Sequence, residues 1–267
     1  MVSRLEGEGT LHLVVNGATK ETDFAHIDES LKPRVTLTTH PERALLALQG
    51  PSAGAVLGRH APESQRLLFM AAARMHVAGV PAIVSRSGYT GEDGFEISID
   101  GDAAQKVARV LLSEPEVLAI GLGARDSLRL EAGLCLYGQD LDEDTDPVTA
   151  ALTWSIGKRR RETQDFPGAA HILELLKEGP HAMRVGIRPE GRAPAREGTP
   201  IADKSGCVIG HVTSGGFGPS INAPVAMGYV EKPFASVGTD IDLLVRGKAL
   251  PARVAAMPFV PHRYKRS

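Results

Sequence analysis

The sequence is poor in cysteine, in aromatic residues and in net charge. Only two of its 267 residues are cysteines, Cys135 and Cys207, too few for a disulfide framework. Aromatic residues make up 4% of the chain, and the formal net charge of −2 lacks the basic excess typical of general nucleic-acid binders. No apolar run reaches the roughly 18 residues that a membrane-spanning helix needs. We therefore expect neither a disulfide-built fold nor a nucleic-acid or membrane partner.

The composition that remains is typical of a globular protein. Hydrophobic residues make up 42% of the chain and charged residues 23%, which is enough apolar side chain to bury a large core. At roughly 150 residues per domain, the length allows one large domain or two ordinary ones. No basic segment followed by an apolar one opens the sequence, as a signal peptide would. Together with the scarce thiols, this predicts a cytoplasmic protein.

Hydrophobic periodicity divides the chain into two parts of different character. Up to about residue 170, short strands alternate with helices, which include residues 102–112 with Asp102 as the N-terminal cap. Strands are predicted there at residues 11–15, 35–39, 45–48, 75–80, 82–87 and 95–99, and further helices at 23–31, 52–59 and 123–133. From about residue 181, only short strands separated by turn residues follow. The predicted fold class is therefore α+β, with an α+β domain over residues 1–170 and a β-barrel over residues 181–262.

Residues 88–96, with the sequence GYTGEDGFE, form the most informative polar stretch. In a strand that starts near Phe95, alternation places Glu96 and Ser98 on the face opposite Phe95 and Ile97. The acidic spacing does not fit a calcium loop. Two interpretations remain open: a hairpin with a solvated acidic turn, or a carboxylate in a cavity that accepts two parallel N–H donors from a heterocycle.

Three further features have both a structural and a functional interpretation, and a fourth has only a structural one. Arg125 and Arg129, four residues apart on a helix, either form surface ion pairs or present a guanidinium to a ligand. Trp154, the only tryptophan, belongs either to a core or to a stacking site. The basic run at residues 158–161 is either a solvated face or a docking site for an acidic partner. Ser214 is predicted to lie in a glycine-rich turn.

Spacing argues against metal and dinucleotide sites. The nine histidines include no H-E-x-x-H pair, and neither cysteine lies in a C-x-x-C motif. The stretch from Gly121 resembles a G-x-G-x-x-G loop, but Asp126 replaces the third glycine and would repel a pyrophosphate. We expect no metal cofactor.

Several longer motifs together resemble the T-protein family of the glycine cleavage system. The motifs follow in family order and span nearly the whole chain: residues 44–51 (ALLALQGP), 88–96, 124–133 (ARDSLRLEAG), 136–139, Trp154 with residues 157–159, 210–215, 226–230 and 257–259. The resemblance implies aminomethyltransferase activity. Such enzymes move the carbon of an aminomethyl group from the lipoyl arm of the H-protein to tetrahydrofolate, and they release ammonia. The resemblance also implies a cloverleaf of subdomains, one of them ferredoxin-like, followed by a C-terminal barrel.

The resemblance also suggests roles for individual residues. Glu96 corresponds to the glutamate that pairs with the pterin edge, and Arg125 to an arginine that lines the same pocket. The other positions that correspond to folate-contacting or cavity-lining residues are Val14, Asn16, Trp154, Arg196 and Tyr264. The catalytic aspartate of the family has no counterpart by motif, since its segment would lie upstream of Met1; Asp23 and Asp126 do not match it.

That departure leaves alternatives open. One is a folate-binding module without transferase activity, although the Lys-Gly-Cys-Tyr stretch of the kind linked to iron–sulfur maintenance is absent. Another is the folate-binding segment of a sarcosine- or dimethylglycine-oxidising enzyme, which would need a flavin domain. The leading hypothesis remains an aminomethyltransferase that uses tetrahydrofolate as co-substrate and a lipoyl-bearing H-protein as partner.

Overall fold

The computed structural model describes residues 1–5 and 9–267. The chain forms two compact units. The first comprises Met1–Gly88, Glu92–Ala119 and Arg263–Ser267, and the second Tyr89–Gly91 and Ile120–His262. In the part of the chain that is described, no helix combines the length and the apolar character required to cross a bilayer.

The first unit contains a two-stranded sheet, a separate helix and a four-stranded sheet with two helices. Its elements are β1 (Val2–Arg4), β2 (Leu11–Leu13), α1 (Lys20–Leu31), β3 (Arg43–Gln49), α2 (Ala53–His60), β4 (Ala72–Val77), β5 (Val80–Ser85), β6 (Gly94–Asp100) and α3 (Gly101–Leu112). Strands β1 and β2 pair with each other, while the larger sheet is antiparallel in the order β3-β6-β5-β4.

Alternation along β6 explains how this sheet is packed. Phe95, Ile97 and Ile99 are fully buried in a core that also contains apolar residues of α2 and α3. Glu96 and Ser98 therefore project from the opposite face, as the sequence predicts. The sheet thus separates an apolar, helix-covered face from a face that carries polar groups.

Three predictions for this unit are wrong in detail. Residues 35–39 form no strand. They have no partner strand and Val35 is exposed, so their β-branched side chains gain no packing from an extended conformation. The strand predicted at 75–80 is broken by a turn at Ala78 and Gly79, both with positive φ. Helix α3 is capped by Asp100, whose Oδ1 accepts from the Asp102 N–H at 2.9 Å, so Asp102 is inside the helix rather than at its cap.

The second unit is a closed six-stranded barrel with helices that precede it in the chain. Its elements are α4 (Leu122–Glu131), α5 (Lys158–Thr163), α6 (Ala169–Glu178), β7 (Ala182–Pro189), β8 (Pro200–Ala202), β9 (Val208–Gly218), β10 (Ala223–Glu231), β11 (Asp240–Val245) and β12 (Lys248–Ala255). The strand order is β10-β7-β12-β11-β8-β9. Buried aliphatic residues such as Ile187, Val212 and Leu243 fill the barrel core.

The glycine-rich run after Thr213 continues strand β9 instead of forming a turn. Ser214 is buried in this strand, which corrects its predicted place. Glycine is required at residue 215 because a Cβ atom there would lie 2.1 Å from the carbonyl oxygen of Ala195. The run therefore allows another backbone segment to approach closely.

Candidate functional site

The Glu96 carboxylate projects from the polar face of the first unit's sheet. Ala47 of β3 and Ser85 of β5 are its cross-strand neighbours. The Ser87 hydroxyl donates to Glu96 Oε2 at 2.8 Å, and the Ser85 and Ser87 hydroxyl oxygens lie 2.8 Å apart. Glu96 is half-buried, and no residue that the structure describes donates a hydrogen bond to its Oε1. The carboxylate is thus fixed through one oxygen and keeps acceptor capacity at the other.

Gln49 links the motif at residues 44–51 to the motif at residues 88–96, which contains Glu96. Its Nε2 donates to the carbonyl oxygens of Ser87 at 3.0 Å and Phe95 at 3.2 Å, which joins the end of β3 to both ends of the 88–94 loop. Gly88 packs so closely that a Cβ atom there would lie 1.8 Å from Gln49 Oε1. The QGP and GYTGEDGFE motifs are therefore parts of one local structure.

An ion pair between Arg86 and Asp93 closes the same loop. Arg86 is buried, and its Nε donates to Asp93 Oδ1 at 2.8 Å while Nη2 bonds to Oδ2. Its Nη1 donates to the Leu67 carbonyl at 3.0 Å, and the guanidinium carbon lies 4.8 Å from the centre of the Phe95 ring. Burial acts to raise the pKa of Asp93, but the hydrogen bond and charge of Arg86 outweigh it, so the pKa is lowered.

Tyr264, Val14 and Asn16 also belong to the first unit. The Tyr264 ring stacks on Phe69 with centroids 3.8 Å apart, and burial raises the pKa of its hydroxyl. The Val14 N–H donates to the Met1 carbonyl at 2.9 Å, and the exposed Asn16 accepts from the Ala18 N–H at 3.1 Å. The first unit therefore holds Glu96 and these three of the seven predicted site residues.

Arg125, in the second unit, is held against an aromatic ring. Its guanidinium carbon lies 4.3 Å from the centre of the Tyr89 ring, an arrangement suited to a cation–π interaction. The Tyr89 hydroxyl donates to the Cys135 carbonyl, and burial raises the pKa of Tyr89 to about 12. The stacking fixes the plane of an exposed guanidinium, which suits recognition of a carboxylate or carbonyl oxygen.

Arg129, one helical turn after Arg125, has a structural role. It is 1% exposed, and its Nη1 donates to Asp140 Oδ2 at 2.7 Å. Its Nε bonds to Asp126 at 2.8 Å and its Nη2 to the Ser214 hydroxyl of β9 at 2.9 Å. The surface location considered from the sequence is therefore wrong for Arg129, which pairs with Asp126 but is buried and joins α4 to the barrel.

Glu131 strengthens the same connection. It is buried, and its carboxylate accepts from the N–H groups of Ser220 and Ile221 and from the Ser220 hydroxyl, at 2.7 to 3.1 Å. The motif at residues 124–133 thus has two functions: Arg125 faces outward, whereas Arg129 and Glu131 hold the helix that carries it.

Trp154 and Arg196 are both exposed residues of the second unit. Trp154 is 77% exposed, so its interpretation as a core residue is wrong. Neither unit alone contains all seven predicted residues. Sequence reasoning missed Asp140 and Tyr89, although both lie within quoted motifs or beside them. In the described part of the chain, no group of three or more His, Cys, Asp or Glu side chains could hold a metal ion.

Comparisons with known proteins match both units. Residues 1–160 match the family described as GCVT N-terminal domain, and residues 183–261 the Glycine cleavage T-protein C-terminal barrel domain. The mitochondrial aminomethyltransferase of Solanum tuberosum is 45% identical over 263 residues, which cover 95% of this chain and 64% of that protein. The probable mitochondrial aminomethyltransferase of Schizosaccharomyces pombe is 43% identical over 265 residues, which cover 97% of this chain and 68% of that protein.

A solved structure agrees with these relatives. The glycine cleavage system aminomethyltransferase T from Bartonella henselae superposes with a TM-score of 0.89 at 44% identity, over 96% of this chain and 70% of that one. The chain spans less than two thirds of the length of the Solanum tuberosum relative, of which it covers 64%. These matches confirm the family resemblance and the fold class predicted from the sequence.

Proposed function

The chain belongs to the glycine cleavage T-protein family, and on this premise we propose that it is the folate-binding part of an aminomethyltransferase. The reaction takes the carbon of an aminomethyl group on the lipoyl arm of an H-protein and transfers it to tetrahydrofolate. The C–S and C–N bonds of that group break, two C–N bonds form on the folate, and ammonia and dihydrolipoyl H-protein are released.

The Glu96 carboxylate carries the proposal. A pterin presents an amino group and an adjacent ring N–H along one edge, and a carboxylate accepts two such parallel donors. Ser87 holds Oε2 at 2.8 Å, which limits the rotation of the carboxylate and fixes its plane before a ligand binds. Binding through Glu96 therefore orients the pterin relative to the sheet.

The remaining predicted residues are proposed as further substrate-contacting residues. Arg125, fixed by the Tyr89 ring, supplies donors to an oxygen of the substrate. Tyr264, with its ring stacked on Phe69, offers an aromatic edge and a hydroxyl. Val14, Asn16, Trp154 and Arg196 are proposed as further contacts along the folate. No catalytic carboxylate and no metal are assigned among the chain's residues.

Titration with tetrahydrofolate tests the site directly. We expect saturable binding by the wild-type chain and, because charge-assisted hydrogen bonds contribute about 1.5–3 kcal/mol each, a loss of at least tenfold in affinity for Glu96→Ala. Glu63→Ala, which removes an exposed glutamate of the same unit, is the matched control. Unchanged affinity of a folded Glu96→Ala protein would remove Glu96 from the site.

Turnover distinguishes the two candidate functions. The assay follows ammonia-dependent loss of 5,10-methylenetetrahydrofolate in the presence of dihydrolipoyl H-protein. Binding with turnover supports the aminomethyltransferase. A folate-binding module without transferase activity is the second candidate, because the proposed site assigns no catalytic carboxylate to the residues of this chain. Binding without turnover would favour that candidate, and absence of binding would contradict both.

The partner and the compartment are also part of the proposal. A lipoyl-bearing H-protein is the expected partner, with no nucleic acid and no membrane. The cytoplasm is the proposed location, although the potato and yeast relatives are named as mitochondrial proteins. Subcellular fractionation of the source cells tests this proposal.

A further inference from the structure

Helix α5 presents basic side chains that the proposed folate site does not use. The Lys158 side chain is 90% exposed and that of Arg159 is 68% exposed. Their acidic neighbours are only loosely placed: the Lys158 Nζ lies 3.7 Å from Glu162, and the Arg159 Nη1 lies 4.0 Å from Asp165. Exposed pairs at these distances compensate little of the charge.

The next two basic residues are already occupied. Arg160 Nη1 lies 2.7 Å from Asp165 Oδ1 and donates to the Asp165 carbonyl at 2.9 Å, so it uses the carboxylate that Arg159 would otherwise share. Arg161 donates to the Ile156 carbonyl at 2.9 Å and to the Thr153 carbonyl at 2.7 Å. The four basic residues thus divide into two that hold the local fold and two that face solvent.

The Arg161 contacts also fix the turn that carries Trp154. Thr153 begins the single helical turn Thr153–Ser155 and Ile156 follows it, so two hydrogen bonds from the Arg161 side chain to main-chain carbonyls attach the turn that carries the exposed indole to α5. Exposed tryptophan and arginine residues on a fixed backbone are typical of a protein-binding surface, in which these two residue types are enriched. We define the α5 surface as Trp154, Lys158 and Arg159.

We propose that the α5 surface docks an acidic face of the lipoyl-bearing partner protein. This inference rests on the proposed function, since that reaction requires a protein to deliver a group on a swinging arm. Trp154 is also one of the predicted folate-contacting residues, so a partner seated on Lys158 and Arg159 would deliver its arm beside a residue of the folate site. The charges steer the encounter, and the fixed turn lowers the entropic cost of docking.

A direct binding experiment tests the proposal. Purified H-protein is titrated into the full chain, followed by calorimetry and by the emission of Trp154, the chain's only tryptophan. For Lys158→Glu/Arg159→Glu we expect about tenfold weaker binding at low salt, and a smaller difference at high salt because exposed charges are screened. Glutamate is tolerated in the first turn of a helix, so the variant should fold.

Matched controls separate docking from general effects of charge. Lys106→Glu/Arg109→Glu changes two exposed basic residues of helix α3 in the other unit and should bind H-protein like the wild type. H-protein without its lipoyl group should show the same loss, since the α5 surface contacts the body of the partner. Tetrahydrofolate affinity should not change in the α5 variant.

The outcomes distinguish this inference from the function on which it rests. If both double variants bind H-protein as strongly as the wild type does, the docking site is overturned. That result would leave folate binding intact. Absence of H-protein binding would overturn the docking site as well. If a DNA oligonucleotide binds as strongly as H-protein does, and if the α5 variant loses this binding as well, the α5 surface is a non-specific cationic patch instead. Loss of H-protein binding only in the α5 variant would support docking, even if tetrahydrofolate did not bind.

Discussion

Replacement of Asp140 by alanine is the sharpest test of how the second unit is held together. Asp140 is 1% exposed and accepts four hydrogen bonds. The donors are Arg129 Nη1 at 2.7 Å, the Ser214 hydroxyl at 2.8 Å, the Thr213 hydroxyl at 2.5 Å and the Leu136 N–H at 2.9 Å. The substitution therefore removes one acceptor of a buried guanidinium, of two buried hydroxyl groups and of a partly buried N–H group.

The expected cost follows from what remains around Arg129. Removing one partner of a buried ion pair costs about 3–5 kcal/mol, because the other charge stays buried without compensation. Burial acts to lower the pKa of Arg129, but the hydrogen bond to Asp126 and the charge of Asp140 raise it above its ordinary value. Since the half-exposed Asp126 still pairs with Arg129 in the variant, we expect about 3 kcal/mol. Asp140→Asn keeps an acceptor oxygen and should cost less.

Urea denaturation followed by circular dichroism measures this loss. With an m-value of about 2–3 kcal/mol per molar, a loss of about 3 kcal/mol lowers the midpoint by about 1–1.5 M. Asp144→Ala, which removes an exposed carboxylate four residues away, should change the free energy of unfolding by less than about 0.5 kcal/mol. A loss below about 1 kcal/mol for Asp140→Ala would refute the argument that this pair holds α4 to the barrel.

Two further predictions concern the loop beside Glu96. Gly88→Ala should lower the melting temperature and reduce the free energy of unfolding by about 1–3 kcal/mol, because the added Cβ would overlap Gln49. The control Gly17→Ala places its Cβ in open space and should be nearly neutral. Equal melting temperatures for the two variants would contradict the packing argument. Asp93, whose folded-state pKa is lowered by Arg86, stabilises the fold above its unfolded-state pKa of about 3.9, and this contribution is lost as pH falls through the folded value. Asp93→Asn should therefore flatten the acid side of the stability–pH curve, and an unchanged slope below about pH 4 would contradict the assignment.

Local patterns predicted what depends on near neighbours in sequence. Alternation around Phe95 was sufficient to place Glu96 on the polar face, because a period of two is a property of one strand. Helix α4 and its left-handed terminus at Gly133 also follow from local signals. The barrel strands were recognisable from their turn-rich spacing.

Long-range pairing could not be predicted in the same way. Arg129 resembles a surface residue in sequence, yet it meets Asp140 eleven residues later and Ser214 in a barrel strand 85 residues away. Trp154 is a residue type that usually enters a core, and here it is exposed. Residues 35–39 have strand propensity but no partner strand, so tertiary packing and not composition decided their conformation.

The division of the chain into two units has a consequence for its dissection. The backbone passes between the units four times, after Gly88, Gly91, Ala119 and His262. A single proteolytic cut at residue 119 would therefore yield two fragments that each retain a piece of the other's unit: residues 89–91 in the first and 263–267 in the second. Neither unit corresponds to a continuous stretch of sequence, so gene fusion or exon exchange at one position would not transfer either of them whole.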